Sequence, residues 1–366
     1  MRLRRLRAVT CYWHEGDFVV HAYPDRAPMA LHPSAAEILG AFETWTTAAQ
    51  AATALGHLTP AAVDKAVTTL VECGLLVEEG GAEADQDDRL TRAWGPWAPE
   101  AAFFHYSTRD ASFEPASSEL RAELVKDGRP ALFTEYPAAD RVLLPRLPAP
   151  ELSAPLEAVL YRRRTHRAFT AEPVALSVVA ALLSVVFGPA DFIDADEYGA
   201  LIRRTSPGGG ARQELDAYLA APNIAGLAPG LFHYNTREHS LELLSEGFSH
   251  QEAARLCAHQ EGVDQAAFLI FVVAAWERMR VKYRHPRAYR VSLLNAGHLG
   301  QTFALAATAL GLGPFQSAAF DDTAVEKQLR LDGITRSALY VLAAGHPRHE
   351  PAAPAGLPAF RRATLR

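Results

Sequence analysis

The chain has 366 residues, of which 49% are hydrophobic and 21% charged, and a formal net charge of -6. That length predicts two or three domains rather than one small core, and the mildly acidic balance argues against nucleic acid as a partner. Three scattered cysteines (Cys11, Cys73, Cys257) exclude a disulfide scaffold and a cysteine metal site, and fit a reducing cytoplasm.

The opening MRLRRLR is basic but lacks the apolar stretch and small-residue cleavage site of a signal peptide. No apolar run reaches bilayer-spanning length, so no membrane contact is expected. Residues 8–23 read as a small hairpin split by His14-Glu15-Gly16-Asp17. A helix follows His32-Pro33, with Ser34 as its cap and Ile38, Leu39, Phe42 and Trp45 on its apolar side. Thr59-Pro60 starts a second helix carrying Val63, Val67, Leu70 and Val71, which stops at Gly74 before a short strand. That order resembles a winged helix over residues 1–80. Its candidate recognition helix offers one lysine, Lys65, against Asp64 and Glu72, which disfavours DNA and leaves peptide docking or a structural role.

Residues 78–89 are acidic and Gly/Ala-rich and read as a solvated linker, so 81–155 is expected to be linker and covering segment, with a helix near 99–108. The main domain is expected over 156–348, followed by a Pro-, Ala- and Arg-rich tail at 349–366. Helices are predicted at 156–162, 176–186, 248–260, 274–281 and 325–329. Strands are predicted at 215–219, 230–234, 240–244, 266–273, 315–320 and 338–344. Helices interleaved with mostly non-consecutive strands make an α+β domain. From Leu293 to Leu310 nearly every residue is apolar or small, and Asn295, His298, Gln301 and Thr302 add polar groups. This is either a core helix with internal hydrogen bonds or the wall of a site. Pro286 should keep the basic aromatic run from Lys282 to Arg290 out of a continuous helix.

Two stretches could hold a ligand. Arg163-Arg164-Thr165-His166-Arg167 could surround a phosphate with charge-assisted hydrogen bonds, or be a solvated basic turn. Thr205-Ser206-Pro207-Gly208-Gly209-Gly210-Ala211-Arg212 is neither a dinucleotide fingerprint nor a P-loop. It could lay backbone N–H groups on a planar ligand, or be a flexible turn. The histidines, His233, His239 and His259 among them, lack metal-ligand spacing, and His298 reads as a core or seam residue.

Together these segments resemble the nitroreductase-like flavoproteins, and within them the SagB/McbC-type azoline dehydrogenases. Arg163 to Phe169 resembles RRS-x-R-x-F, and Ser206 to Arg212 resembles SPSGGAR. Tyr289 to His298 resembles YR-x-x-LLEAGH, and Gly311-Leu312-Gly313, Phe320-Asp321-Asp322 and Leu331-Asp332-Gly333 resemble the closing region. The front portion also resembles the extra N-terminal part of such enzymes. The resemblance implies an FMN-dependent oxidation of thiazolines or oxazolines in a ribosomally made peptide to azoles.

By position, it implies that Arg163, Thr165 and Arg167 hold the FMN phosphate and ribityl end, and that Ser206, Pro207, Gly208 and Gly209 line the flavin ring. Asn295 is grouped with the cofactor-binding residues, and Lys282 and Tyr283 would act near the substrate. It further implies a homodimer with α-helical seam, a modified precursor peptide as partner and a possible cyclase. The chain departs from the pattern at Asn295 (glutamate in the family), Gly208 (serine), Thr302 (often asparagine) and Arg336 (commonly glutamate). Two rival readings are an NAD(P)H-fed nitro or quinone reductase and a non-catalytic scaffold of a peptide-modifying complex.

Overall fold

A computed structural model describes residues 1–24, 26–111, 117–126, 128–146 and 150–349. The expected tail, from residue 350 on, lies outside the described residues, as does part of the proline-rich connector. The chain divides into two compact units, Met1–Ser112 and Phe113–Arg366.

In the first unit, β1 (Leu3–Arg5) pairs with β5 (Leu76–Glu78), and β2 (Val9–His14), β3 (Asp17–Ala22) and β4 (Met29–Leu31) form an antiparallel sheet. Three helices, α1 (Ser34–Ala41), α2 (Ala48–Ala54) and α3 (Pro60–Glu72), close a core around Phe42, Val63 and Leu70. Thr59 caps α3 with Pro60 in its first turn, as the sequence predicts. Ser34 is not a cap: it opens the helix after Pro33, and its N–H donates to His32 Nδ1 at 3.2 Å. Trp45 lies beyond the helix, with the Arg4 guanidinium over its ring. The helix α2 was not read in the sequence, although Thr47 and Gln50 form its capping box.

The acidic stretch expected to be a linker is instead a helix, α4 (Ala82–Trp94), followed by α5 (Pro99–Ser107). Glu83 and Asp85 sit in its first turn, where negative charge suits the helix dipole. One turn on, Asp87 is buried, accepting from Arg4 Nη2 at 3.0 Å and from the N–H groups of Arg7 and Ala8 at 3.1 Å. The unit therefore extends to Ser112, well past the boundary expected near residue 80.

The second unit is built on a seven-stranded antiparallel sheet. Its strands are β6 (Arg141–Leu143), β10 (Leu215–Ala221), β12 (Gly230–Asn235), β13 (Ser240–Glu246), β14 (Phe268–Ala275), β15 (Gly313–Ser317) and β16 (Arg336–Gly345). Their order is β15-β16-β14-β10-β12-β13-β6. Short pairs flank the sheet: β7 (Val174–Ala175) runs parallel to β11 (Ile224–Ala225), and β8 (Asp191–Asp194) pairs with β9 (Ala200–Arg203). All eight residues of β14 are buried, because both faces of the sheet are covered. Leu219, Ile270 and Leu342 face α8 (Leu176–Phe187) and α11 (Arg287–Ala309). Tyr218, Phe271 and Val341 face α9 (His250–Leu256) and α12 (Asp322–Gln328).

The remaining helices are α6 (Ser118–Leu124), α7 (Leu156–Arg162) and α10 (Trp276–Arg280). The basic run is not one continuous helix: residues 282–286 lie between α10 and α11. Pro286 stands at the N-cap of α11, whose first turn takes Arg287 to Arg290, since proline is tolerated where the N–H needs no helical partner. Among the described residues, no helix is long and apolar enough to cross a membrane.

Candidate functional site

The glycine loop lies along one face of α11 and is fastened to it at three points. Ser206 Oγ is 2.6 Å from Thr302 Oγ1, His298 Nδ1 is 3.2 Å from the Pro207 carbonyl, and the Gly209 N–H donates to Asn295 Oδ1 at 3.1 Å. Positions 295, 298 and 302 follow helical spacing, so one face meets the whole loop. Two glycines are required for this approach. A Cβ at Gly209 would collide with Val291 Cγ1. Gly210, at φ +62°, would place one against the Tyr283 hydroxyl.

Asn295 is 6% exposed, and its Nδ2 donates to the buried Glu214 carboxylate at 2.9 Å. It therefore bridges a loop N–H and a carboxylate, using both ends of the amide. Asn295→Ala strands both partners and is expected to cost about 1–3 kcal/mol of stability. Urea unfolding checks this, and a variant as stable as the parent would contradict the bridge.

Lys282 and Tyr283 follow α10 and meet the loop from its other side. Lys282 Nζ is 5.2 Å from the Tyr283 ring centroid and 5.7 Å from that of Tyr198. The Arg212 guanidinium sits 5.2 Å from the Tyr198 ring, and Arg212 Nε donates to the Arg278 carbonyl at 2.8 Å. Burial raises the Tyr198 hydroxyl above the ordinary tyrosine value, with Arg212 opposing it. That hydroxyl and Arg212 Nη1 are buried and have no hydrogen-bond partner among the described residues.

The arginine segment takes its seat elsewhere, on β15. The His166 N–H donates to the Pro314 carbonyl at 2.9 Å, and the Arg167 guanidinium lies 5.8 Å from the Phe315 ring centroid. Arg164 Nη1 donates to the carbonyls of Tyr161 and Arg163, both at 2.8 Å. Thr165 and Arg167 are exposed and Arg163 half-buried. Among the described residues, no carboxylate pairs with Arg163, Arg164 or Arg167, so their charge is available to an external anion.

The chain thus brings Ser206, Pro207, Gly208, Gly209, Asn295 and Tyr283 together, with Lys282 beside Tyr283. It does not bring Arg163, Thr165 and Arg167 into hydrogen-bond contact with them among the described residues. The two groups are linked through α11 and the strand that follows it. These features fit the demands of a flavin mononucleotide: guanidiniums with no carboxylate partner among the described residues suit a phosphate, and a loop of small residues packed on a helix suits a flat ring.

Three departures from the family pattern acquire a physical account. Asn295 and Thr302 both fasten the loop, and Arg336, half-buried at the head of β16, engages Tyr218. Reading the sequence did not pick out Tyr198, Glu214 or Arg278. Glu214 left one signal, an acid at the threshold of an apolar strand, whereas Tyr198 in its acidic surroundings left none.

The nitroreductase family pattern matches residues 160–346. The trifolitoxin-processing protein TfxB of Rhizobium leguminosarum bv. trifolii is 29% identical over 170 residues, covering 45% of this chain and 46% of that protein. The candidate nitroreductase MJ1384 of Methanocaldococcus jannaschii is 29% identical over 177 residues, 48% of this chain and 84% of that protein. Among solved structures, a candidate nitroreductase of Anabaena variabilis superposes with a TM-score of 0.53 at 24% identity, over 68% of this chain and 47% of that one. The chain spans less than half the length of TfxB and of the Anabaena chain.

Proposed function

Because the chain belongs to the nitroreductase family, we propose that it is an FMN-dependent dehydrogenase oxidising azoline rings of a ribosomally made peptide to azoles. The observation that carries this reading is the meeting of the glycine loop, Asn295 and the Tyr283 hydroxyl at one place on α11. Arg163, Thr165 and Arg167 would hold the cofactor's phosphate end, and Ser206, Pro207, Gly208 and Gly209 with Asn295 its ring. When bound, FMN supplies a two-electron acceptor that takes up hydride. The chain's own task is to orient the azoline and remove a proton from its ring. Tyr283 is the candidate base: its oxygen, as phenolate, takes up the ring proton and becomes a neutral hydroxyl, with the Lys282 ammonium 5.2 Å from the centre of its ring. Loss of one hydride and one proton leaves the ring aromatic.

That TfxB is a trifolitoxin-processing protein supports a peptide substrate. On this reading the partners are a modified precursor peptide in the cytoplasm, a cyclase that supplies the azoline and a second copy of the chain. Exposed Leu156, Leu160 and Tyr161 on α7 and Leu293 and Leu294 on α11 offer that copy an apolar face.

The description of MJ1384 favours a second reading, an NAD(P)H-fed reductase. Bleaching of bound flavin by NAD(P)H without peptide selects it over the dehydrogenase. The first experiment is uptake of FMN, followed by visible absorption and quenching of flavin fluorescence. Arg163→Ala removes one charge-assisted contact, worth about 1.5–3 kcal/mol. FMN should then bind about 10- to 100-fold more weakly. Unchanged affinity would remove the phosphate role from Arg163.

A further inference from the structure

Tyr283 is also a wall of a second space. A cavity of about 880 Å³ opens between residues 128–130 and the stretch from Trp276 to Ser292. That volume lies in the range of pockets that enclose a ligand, roughly 300–1,000 Å³. One side is apolar and aromatic: the Trp276 and Tyr289 rings stack at 5.1 Å and 24°, beside Met279. The charge is one-sided. Arg129, Arg280 and Arg284 line the cavity, and among the described residues Glu277 is the single carboxylate that lines it.

Arg280 and Arg284 are exposed, and no ion pair or hydrogen bond engages either side chain among the described residues. Residues 276–290 hold six lysine and arginine side chains, of which Arg278 is paired with Asp216, in a chain whose net charge is -6, so the positive charge of this stretch is local. At the inner end Ser292 is 1% exposed, and its hydroxyl has no partner among the described residues. A buried donor without a partner costs about 1–3 kcal/mol unless something arrives to satisfy it.

We propose that this cavity binds a carboxylate-bearing segment of the peptide substrate, flanking the ring presented to Tyr283. The proposal rests on the peptide-modifying reading above and adds a preference to it. Arg280 and Arg284 recognise acidic side chains at the mouth, the stacked pair receives an apolar residue, and Ser292 donates to a peptide carbonyl. A nicotinamide dinucleotide shares the anionic chemistry, and its competition for the cavity is an outcome of the test below.

The test measures fluorescence anisotropy of two labelled hexapeptides, one of aspartate, leucine and glycine and one with lysine for aspartate. The protein is the full chain supplied with FMN, wild type or Arg280→Glu/Arg284→Glu. The aspartate peptide should bind the wild type and the lysine peptide should not. The double reversal should weaken the aspartate peptide at least ~10-fold, since each rim charge is worth roughly 1 kcal/mol. Added salt should weaken it further, and flavin quenching should stay at the wild-type level. Equal binding of both peptides, equal binding by the variant, or displacement of the aspartate peptide by NADPH would overturn the proposal. The readout needs no turnover, so the two readings fail separately. Protein that binds the aspartate peptide but takes up no FMN defeats the enzyme reading alone. Protein that takes up FMN and ignores both peptides defeats this one.

Discussion

Arg278→Ala is expected to lower the stability of the second unit by about 3–5 kcal/mol, the usual cost of leaving one member of a buried ion pair alone. Arg278 is 3% exposed and every polar atom of its head is committed. Nε donates to the Ala131 carbonyl at 2.9 Å. Nη1 reaches Asp216 Oδ1 at 2.8 Å and the Gln213 carbonyl at 3.2 Å, and Nη2 reaches Thr134 Oγ1 at 2.8 Å. One side chain thus ties α10 to the segment before β6 and to the end of the glycine loop.

The pH dependence has a definite sign. Burial acts to raise the Asp216 carboxyl, but Arg278 and His233 outweigh it and hold the group below the ordinary aspartate value. A depressed carboxyl contributes stability that is present above its unfolded value, about 3.9, and is lost as the pH falls through the folded one. Without Arg278, burial dominates and the carboxyl is better tolerated protonated. The gap between wild type and variant should therefore narrow as acid is added. Urea unfolding at several pH values, followed by hydrogen exchange of the amides of β10 and β14, measures it. A gap that stays constant, or no gap at neutral pH, would show that Arg278 is not the clamp.

On the dehydrogenase reading proposed above, Tyr283→Phe should reduce azoline oxidation by about 10²- to 10⁴-fold, the typical contribution of a positioned acid or base. The ring remains to flank Gly210 and the Lys282 ammonium, so FMN uptake and stability should match the wild type. That separation makes the variant informative. A protein that still takes up flavin but barely turns over places the loss at the proton transfer. Wild-type turnover would move the base elsewhere, and Tyr198, whose hydroxyl has no partner among the described residues, is the next to be changed.

Much of this arrangement was legible in the sequence because its signals are local. Thr59-Pro60 marks a helix start, and the apolar run with small residues from Leu293 marks α11. Asn295 drew notice as a polar residue in a segment that must be buried. The failures share a different cause. The helix α4 looks solvated because its composition is acidic, and what holds it is Arg4, at the far end of the unit. Arg278 and Glu214 matter through partners dozens of residues away, and no window of sequence contains both members. His166 reveals its role only when β15 arrives beside it.

The position of β16 carries a consequence for how the protein comes into being. It is the last described strand to be synthesised, yet it inserts between β14 and β15, and β15 has no other neighbour in the sheet. A nascent chain that has emerged only as far as α12 can extend β15 but cannot anchor it, because such non-local pairings form late. Since Pro314 on β15 fastens the stretch bearing the arginines, the proposed phosphate seat is finished only after the ribosome has passed residue 345. If FMN binds there as proposed, yellow colour acquired during expression would report molecules extended past β16, and those terminated before it would remain pale.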